Sequence, residues 1–322
     1  MRSGITGCGS YLPERVMTNS DLEKLVDTTD EWITQRTGIR SRHIAAEGET
    51  TSDMAVKACL RALEHAGITA ADVDLVILAT TTPDHTFPAT AARVQARLGI
   101  TQGPAFDIQA VCSGFIFALA MADNCIRLGQ AKTALVIGAE TFSRLVNWKD
   151  RSTCVLFGDG AGAVVVQAAP GTGKITDRGI LSTHLHTDGT RYDSLYADGG
   201  PSTTGRAGTV QMDGQEVFRQ AVTRLGEVLQ ESLAANGLTP DDIDWLVPHQ
   251  ANRRIIEGTA RKLDLPADKV VMTVDRHGNT SAASIPLALD VAVRDGRIRP
   301  GQLLVMEAIG GGLSWGAAVV RW

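Results

Sequence analysis

The sequence predicts an α/β protein made of two pseudo-duplicated halves, and three observations carry that reading. Apolar runs such as Leu75-Val76-Ile77, Leu135-Val136-Ile137 and Leu303-Leu304-Val305-Met306 are continuous rather than alternating, which suits strands covered on both faces. Amphipathic helical patterns that stop at glycine separate them. The third observation is internal similarity. Residues 62–77 resemble residues 232–247, with Leu63, Gly67, Thr69, Asp72 and Asp74 matched by Leu233, Gly237, Thr239, Asp242 and Asp244 at a constant offset of 170.

Each copy of that segment reads as a helix, a glycine stop, a short turn and a buried strand. The stretch Asp107-Ile108-Gln109-Ala110-Val111-Cys112-Ser113-Gly114 then leads into an apolar helix beginning near Phe115. At the same offset Phe117-Ala118-Leu119 falls on Leu287-Ala288-Leu289, so this helix has a counterpart after His277-Gly278-Asn279-Thr280-Ser281. The strand-like run 133–138 has its echo in 302–306. Halves spanning 1–170 and 171–322 are expected to meet about a pseudo-dyad, bringing Cys112 and Asn279 to the centre, where ligand sites tend to form.

Composition excludes several classes. With 322 residues, 43% hydrophobic, 21% charged and a net charge of −5, the chain reads as an ordinary globular protein and not as a general nucleic-acid binder. No apolar stretch reaches bilayer-spanning length and no charged leader precedes an apolar run, so a cytoplasmic protein with no membrane segment is expected. The five cysteines (Cys8, Cys59, Cys112, Cys125, Cys154) are odd in number and scattered, without a C-x-x-C pair. Neither a disulfide framework nor a zinc cluster is expected. Cys8 and Cys154 fall in strand-like segments and Cys59 and Cys125 in helix-like ones, where packing explains them.

Cys112 differs in position. At a strand-to-helix junction it would meet the positive end of a helix, which favours a thiolate and lowers the pKa. His249, in Trp245-Leu246-Val247-Pro248-His249-Gln250-Ala251-Asn252, follows a strand and is expected to be exposed at its carboxyl end, the ligand edge of an open α/β sheet. Asn279 offers an amide donor among small residues, although it could instead cap the following helix. The run Gly310-Gly311-Gly312-Leu313-Ser314-Trp315-Gly316 offers backbone N–H groups suited to an oxyanion. Gly158-Asp159-Gly160-Ala161-Gly162 lacks dinucleotide-binding spacing and leads into a strand. His184 and His186 share a strand face without obvious further ligands, so no metal site is expected.

Together, Ala-Val-Cys112-Ser-Gly, Val-Pro-His249-Gln-Ala-Asn, His-Gly-Asn279-Thr-Ser-Ala-Ala-Ser and the glycine run resemble the motifs of the β-ketoacyl-acyl-carrier-protein synthase III family. The resemblance runs from Gly9-Ser10-Tyr11-Leu12-Pro13 through Phe157-Gly158-Asp159 to the C-terminus. It implies a thiolase-like fold layered α-β-α-β-α, a homodimer, and a decarboxylating Claisen condensation that begins fatty-acid synthesis. Cys112 would take a short acyl group, acetyl above all, from an acyl-CoA, with the Cys112 and Gly311 N–H groups holding the oxyanion. His249 and Asn279 would stabilise the enolate left when malonyl-acyl carrier protein loses carbon dioxide. No permanently bound cofactor is implied, since the CoA thioester is a substrate.

The resemblance also assigns CoA contacts to Thr28, Trp32, Arg36, Arg151, Gly214, Phe218 and Asn252, with Trp32 and Arg151 sandwiching the adenine. Phe87 would cross the dimer and close the acyl pocket, favouring short primers. Arg219, Arg254, Arg261 and Lys262 would receive the acidic carrier protein, although basic helix faces are commonly just solvated. A papain-like hydrolase would need a different cysteine context near the N-terminus. A degradative thiolase would need a second cysteine late in the chain, and none follows Cys154. A synthase priming a polyketide or another specialised product, or a non-catalytic CoA- and carrier-binding subunit, remain the alternatives.

Overall fold

The computed structural model describes all 322 residues. A five-stranded sheet holds, in spatial order, Arg2–Tyr11, Gly160–Ala169, Thr133–Glu140, Leu75–Ala79 and Ala105–Ile108. A four-stranded sheet holds Trp245–Pro248, Leu303–Gly310, Ser314–Arg321 and Gly179–Thr187. Both are mixed. Leu75–Ala79 runs parallel to both its neighbours and Trp245–Pro248 runs parallel to Leu303–Gly310, while the remaining pairs are antiparallel.

The repeat is physical down to its register. Leu75 lies opposite Ala134 in one sheet and Trp245 opposite Leu304 in the other, each the same offset apart. Gly67 and Gly237 end their helices with φ of 68° and 64°, a left-handed turn that a side chain disfavours. Thr69 with Asp72, and Thr239 with Asp242, form matching capping boxes. Asp74 accepts from the Thr133 N–H and Asp244 from the Leu303 N–H, pinning each turn to the start of the neighbouring strand. The matched residues are therefore those that stop, turn and dock the chain. Where the first half has the edge strand Ala105–Ile108, the second has only an isolated bridge from Leu246 to Val270.

Helices Gly114–Arg127 and Ser284–Arg294 lie between the sheets, sharing one core with residues of both, including Val136, Val164, Met306 and Ala318. Helices Thr51–Ala66 and Thr90–Leu98 cover the outer face of the first sheet. Gly214–Ala234 and Arg253–Lys262 cover the second. The result is the layered α-β-α-β-α arrangement of a thiolase-like fold. Small residues set the approach of the halves: a Cβ on Gly138 would overlap the Ala282 carbonyl, and one on Gly162 would lie 2.7 Å from Pro286 Cβ. All five cysteines are free. Cys154 closes the short helix Arg151–Cys154 instead of lying in a strand, because the Asp150 side chain caps that turn through the Ser152 N–H. No helix is long and apolar enough to cross a membrane.

Candidate active site

Cys112 sits in a tight turn, Val111–Ser113, that precedes the buried helix Gly114–Arg127. Its counterpart Ser281–Ala283 leads into Ser284–Arg294. The first residue of each turn takes the left-handed conformation, Val111 at φ 48° and Ser281 at φ 50°. For the β-branched Val111 this is strained backbone, of the kind that persists where surrounding structure imposes it. The two turns pack on each other at the pseudo-dyad. Cys112 is 4% exposed, and burial pushes its thiol up to about 12, opposed by the Ser281 hydroxyl and reinforced by the charge of Glu140. The expected lowering of the thiol pKa by the helix terminus is therefore not seen in the free protein, because desolvation outweighs it.

His249 follows Trp245–Pro248 as expected but is buried, not exposed, since the start of helix Ser284–Arg294 packs against the strand end. Burial drives its pKa down to about 3, so the ring is neutral. The Ser284 Oγ accepts from the Gln250 N–H at 3.2 Å and lies 2.6 Å from His249 Nδ1. Nδ1 is the one acceptor the structure gives the hydroxyl's own proton, so the hydroxyl donates to Nδ1 and the ring proton resides on Nε2 as a donor. Asn279 is held by its backbone, its N–H donating to the Leu156 carbonyl at 2.9 Å and its carbonyl accepting from Gly158 N–H at 3.0 Å. Its Oδ1 accepts from Ser281 N–H at 2.9 Å, which turns the amide so that Nδ2 is left without a protein partner. Capping and donating are thus combined in one residue.

The backbone N–H groups of Cys112 and Gly311 likewise have no acceptor in the protein. Gly310 packs so closely behind Cys112 that a Cβ there would lie 2.6 Å from the Cys112 nitrogen. The centre therefore contains one buried thiol, two neutral side-chain donors and two free N–H groups, with no cluster of groups that could hold a metal ion.

Two further features were hidden in the sequence. Glu307, whose carbonyl accepts the His249 N–H at 2.8 Å, is fully buried with Oε2 unpartnered, and burial raises its carboxyl to about 8. Between pH 4.5 and about 8 the folded state holds a proton that the unfolded state has lost, so stability falls as pH rises through that window. Glu307→Gln removes this slope. Its melting temperature is expected to rise relative to the parent across that window and to run parallel to it at higher pH; parallel curves throughout would refute the assignment. The other feature is Glu140, fully buried at the end of the strand Thr133–Glu140, where its Oε1 accepts from the Ser281 hydroxyl at 3.1 Å.

The resemblance-based contacts cluster around a second region. Trp32 and Arg36 share a face of helix Asp30–Thr37, and both guanidinium groups, of Arg36 and of Arg151, lie 4.8 Å from the Trp32 ring centroid. The Thr28 hydroxyl is buried without a partner. Asn252 caps helix Arg253–Lys262 through the Arg254 N–H and donates to the Arg36 carbonyl, joining the two regions. Gly214 opens helix Gly214–Ala234, and Phe218 lies under the Arg254 guanidinium at 5.6 Å. Arg254, Arg261 and Lys262 are exposed, whereas Arg219 is paired with Glu216, which also holds Arg191 at 3.1 Å. Phe87 is 83% exposed, which excludes the core role that a phenylalanine ordinarily has. His184 and His186 do find a further group: Glu231 reaches them at 3.1 and 2.7 Å.

Models of the 3-oxoacyl-[acyl-carrier-protein] synthase III family match residues 106–189 and, for its C-terminal part, residues 233–322. The β-ketoacyl-[acyl-carrier-protein] synthase III of Rhodospirillum centenum is 67% identical over 322 residues, covering 100% of this chain and 99% of the relative. The chain belongs to the β-ketoacyl-acyl-carrier-protein synthase III family. A second member, from Paramagnetospirillum magneticum, is 68% identical over 321 residues, with 100% and 99% covered. The crystal structure of the Aquifex aeolicus family member superimposes with a TM-score of 0.94 at 49% identity, covering 99% of this chain and 100% of that one. The priming β-ketosynthase of the R1128 polyketide pathway superimposes at 0.93 with 38% identity, covering 99% and 96%. The chain is thus similar to β-ketoacyl-acyl-carrier-protein synthases III at high identity and to a polyketide-priming enzyme at lower identity.

Proposed function

We propose that this enzyme transfers a short acyl group from CoA to Cys112 and condenses it with malonyl-acyl carrier protein, giving a 3-ketoacyl-carrier protein that starts fatty-acid synthesis. The observation that carries the reading is the set of donors left free around one buried thiol: His249 Nε2, Asn279 Nδ2, and the N–H groups of Cys112 and Gly311. The thiol attacks the thioester, its oxyanion taken by the two N–H groups. Loss of carbon dioxide then develops negative charge on the malonyl thioester oxygen, which the two neutral side chains receive. Because His249 is uncharged, it donates a hydrogen bond without surrendering a proton to the carbanion that must attack carbon. No prosthetic group takes part in these steps. A polyketide-priming role would use the same residues, and the higher identity to fatty-acid enzymes favours the first reading.

CoA enters past Thr28, Trp32, Arg36 and Arg151, its adenine parting the two guanidinium groups from the indole or replacing one of them. Its pantetheine arm passes Gly214, Phe218 and Asn252. A homodimer fits two unsatisfied features, the open edge of Ala105–Ile108 and the bare ring of Phe87, which would enter the partner's acyl pocket and restrict it to short primers. The halves 1–170 and 171–322 are read as products of duplication and fusion, and the enzyme is placed in the cytoplasm, where its substrates meet.

The deciding experiment is intact mass after incubation with acetyl-CoA, run beside Cys112→Ala and followed by malonyl-carrier protein. One acetyl adduct, absent from the variant and discharged as acetoacetyl-carrier protein, establishes nucleophile, primer and reaction. Labelling only by longer or branched acyl-CoA overturns the Phe87 assignment. No labelling by any acyl-CoA overturns the synthase reading.

The exposed Arg254, Arg261 and Lys262 are assigned to the acidic carrier protein. Arg254→Glu is expected to raise the KM for malonyl-carrier protein on the order of tenfold, consistent with the loss of one partly desolvated charge pair, and to slow acylation by acetyl-CoA far less. The wild-type KM should also rise with salt, and the variant's much less. Equal KM values for both proteins at low salt would remove Arg254 from the docking surface.

A further inference from the structure

Resting on the proposed decarboxylation, we infer that Gln250 is a positioning residue for that step: its side-chain amide ties the loop carrying His249 to the turn that delivers Asn279, and so sets the placement of the two donors assigned to the enolate oxygen. Gln250 is 1% exposed, and its amide bonds only to backbone. Nε2 donates to the Pro248 carbonyl at 2.9 Å and to the Val271 carbonyl at 3.0 Å. Oε1 accepts from the Thr273 N–H at 2.8 Å and from the Val274 N–H at 3.0 Å. A side-chain amide has two donor hydrogens and two acceptor lone pairs, so all of its capacity is used and none is left to hold a ligand. Carbonyls at one end and N–H groups at the other also admit a single orientation of the amide.

The two ends of this strut lead to different donors. On one side, the chain leaves the strand Trp245–Pro248 at His249, whose N–H bonds to the Glu307 carbonyl. The Gln250 N–H then bonds to the Ser284 Oγ, the same atom that meets His249 Nδ1. On the other side, Thr273 and Val274 begin the short helix Val274–His277. The Thr273 carbonyl accepts from the His277 N–H at 3.0 Å and the Val274 carbonyl from the Gly278 N–H at 3.1 Å, so this turn is closed on itself and passes its position to Gly278. Gly278 has a φ of 66°, and a Cβ there would lie 3.0 Å from the Leu156 carbonyl oxygen. Asn279 follows at once, its N–H bonded to that same carbonyl. No other hydrogen bond joins residues 248–250 to residues 271–274.

Two donors that serve one oxygen are effective only while their separation is fixed, because their value lies in being aimed before the charge develops. Gln250 touches neither substrate nor the reacting atoms, and it acts through the segments it joins. Acylation makes a different demand. Its proposed donors, the Cys112 and Gly311 N–H groups, belong to the Val111–Ser113 turn and to the end of the strand Leu303–Gly310, and the Gln250 amide bonds to neither. A role confined to stability would weaken both half-reactions together. A positioning role weakens one of them.

The test compares Gln250→Glu and Gln250→Met with the wild type from pH 6 to 9. Rapid-quench intact mass follows acylation of Cys112 by acetyl-CoA, and carbon dioxide release from malonyl-carrier protein follows the acetylated enzyme. Glu keeps the acceptor for Thr273 and Val274 but turns an oxygen toward the Pro248 and Val271 carbonyls, and only its protonated form can donate to one of them. Its carbon dioxide release should be slower on the order of 10²-fold at the alkaline end, as for a donor misplaced by about 1 Å, and should recover relative to the wild type as pH falls. Met fills the space without making any of the bonds, so its loss should be similar and should hold a constant ratio to the wild type across the range. Acylation by both variants should stay close to the wild-type rate. Equal losses in the two half-reactions would mark a structural role and overturn the proposal, as would wild-type carbon dioxide release from Gln250→Met. If Gln250→Glu does not fold, Gln250→Met decides by the ratio of its two losses. A wild type that neither acylates nor releases carbon dioxide would instead fail the synthase reading itself.

Discussion

His249→Ala is expected to acquire its acetyl adduct at close to the wild-type rate and yet to condense it roughly 10²–10³-fold more slowly, the loss typical of removing one preorganised donor from a developing oxyanion. The two half-reactions separate because different donors serve them. Acylation, as proposed, places its oxyanion on the backbone N–H groups of Cys112 and Gly311, neither of which His249 holds. Decarboxylation, in the proposed reaction, places its charge on the thioester oxygen assigned to His249 Nε2 and Asn279 Nδ2. Asn279→Ala should behave alike, and the double variant should lose less than the product of the two single losses, since the donors serve one oxygen. Ser284→Ala should give a smaller loss with the same pattern. Removing the hydroxyl that donates to Nδ1 permits the tautomer whose proton lies on the wrong nitrogen. The check is rapid-quench intact mass for acylation beside carbon dioxide release from malonyl-carrier protein. If His249→Ala fails to acylate, the division of labour between the two donor sets is wrong.

What the sequence disclosed and what it hid have physical explanations. The duplication was legible because its markers are local: a glycine that must adopt positive φ, a Thr and an Asp that cap a turn, an Asp that docks on the next strand. Such residues write their role within a few positions of themselves. Cys112 and Asn279 were legible for a related reason, as both flank turns that the repeat places at the pseudo-dyad. Burial was misread. His249 was expected at an open sheet edge, and the second half closes it over; the Cys112 thiol was expected to be acidic, and desolvation overrides the helix end.

Glu140 and Glu307 were missed for the opposite reason. Each terminates or interrupts an apolar strand run, in Gly138-Ala139-Glu140 and Val305-Met306-Glu307, where a charged residue most often marks the point at which a strand reaches solvent. Only the second sheet and the layer of helices reveal that both carboxyls end inside the protein. An acidic residue at the carboxyl end of a strand otherwise buried throughout was a usable signal. Ser281 and Ser284 lay within a recognised motif, but their partners, Glu140 and His249, are remote in sequence, and no periodicity reports such pairings.

Gly310→Ala is expected to abolish acylation while the chain still folds. The added Cβ would stand 2.6 Å from the Cys112 nitrogen and 3.0 Å from the Ala110 carbonyl oxygen, both backbone atoms that cannot swing aside as a side chain would. Relief requires the Val111–Ser113 turn to retreat from the strand Leu303–Gly310. That turn is already strained at Val111 and is tied at its base by the Ser113 N–H and hydroxyl, both donating to the Ala110 carbonyl. It therefore moves as a unit, carrying the Cys112 N–H away from the Gly311 N–H with which it is proposed to share the oxyanion. Overpacking of this kind costs about 1–3 kcal/mol, which a protein of this size survives. The separation of two oxyanion donors by a few tenths of an ångström or more is not survivable for catalysis, because their value depends on fixed geometry. Acylation should fall by at least about 10³-fold, beyond the loss from either donor alone, with melting temperature reduced but a cooperative transition retained. Should Gly310→Ala acylate within about tenfold of the parent, the strand and the nucleophile turn are less rigidly joined than their contact implies, and the paired N–H groups do not set the rate.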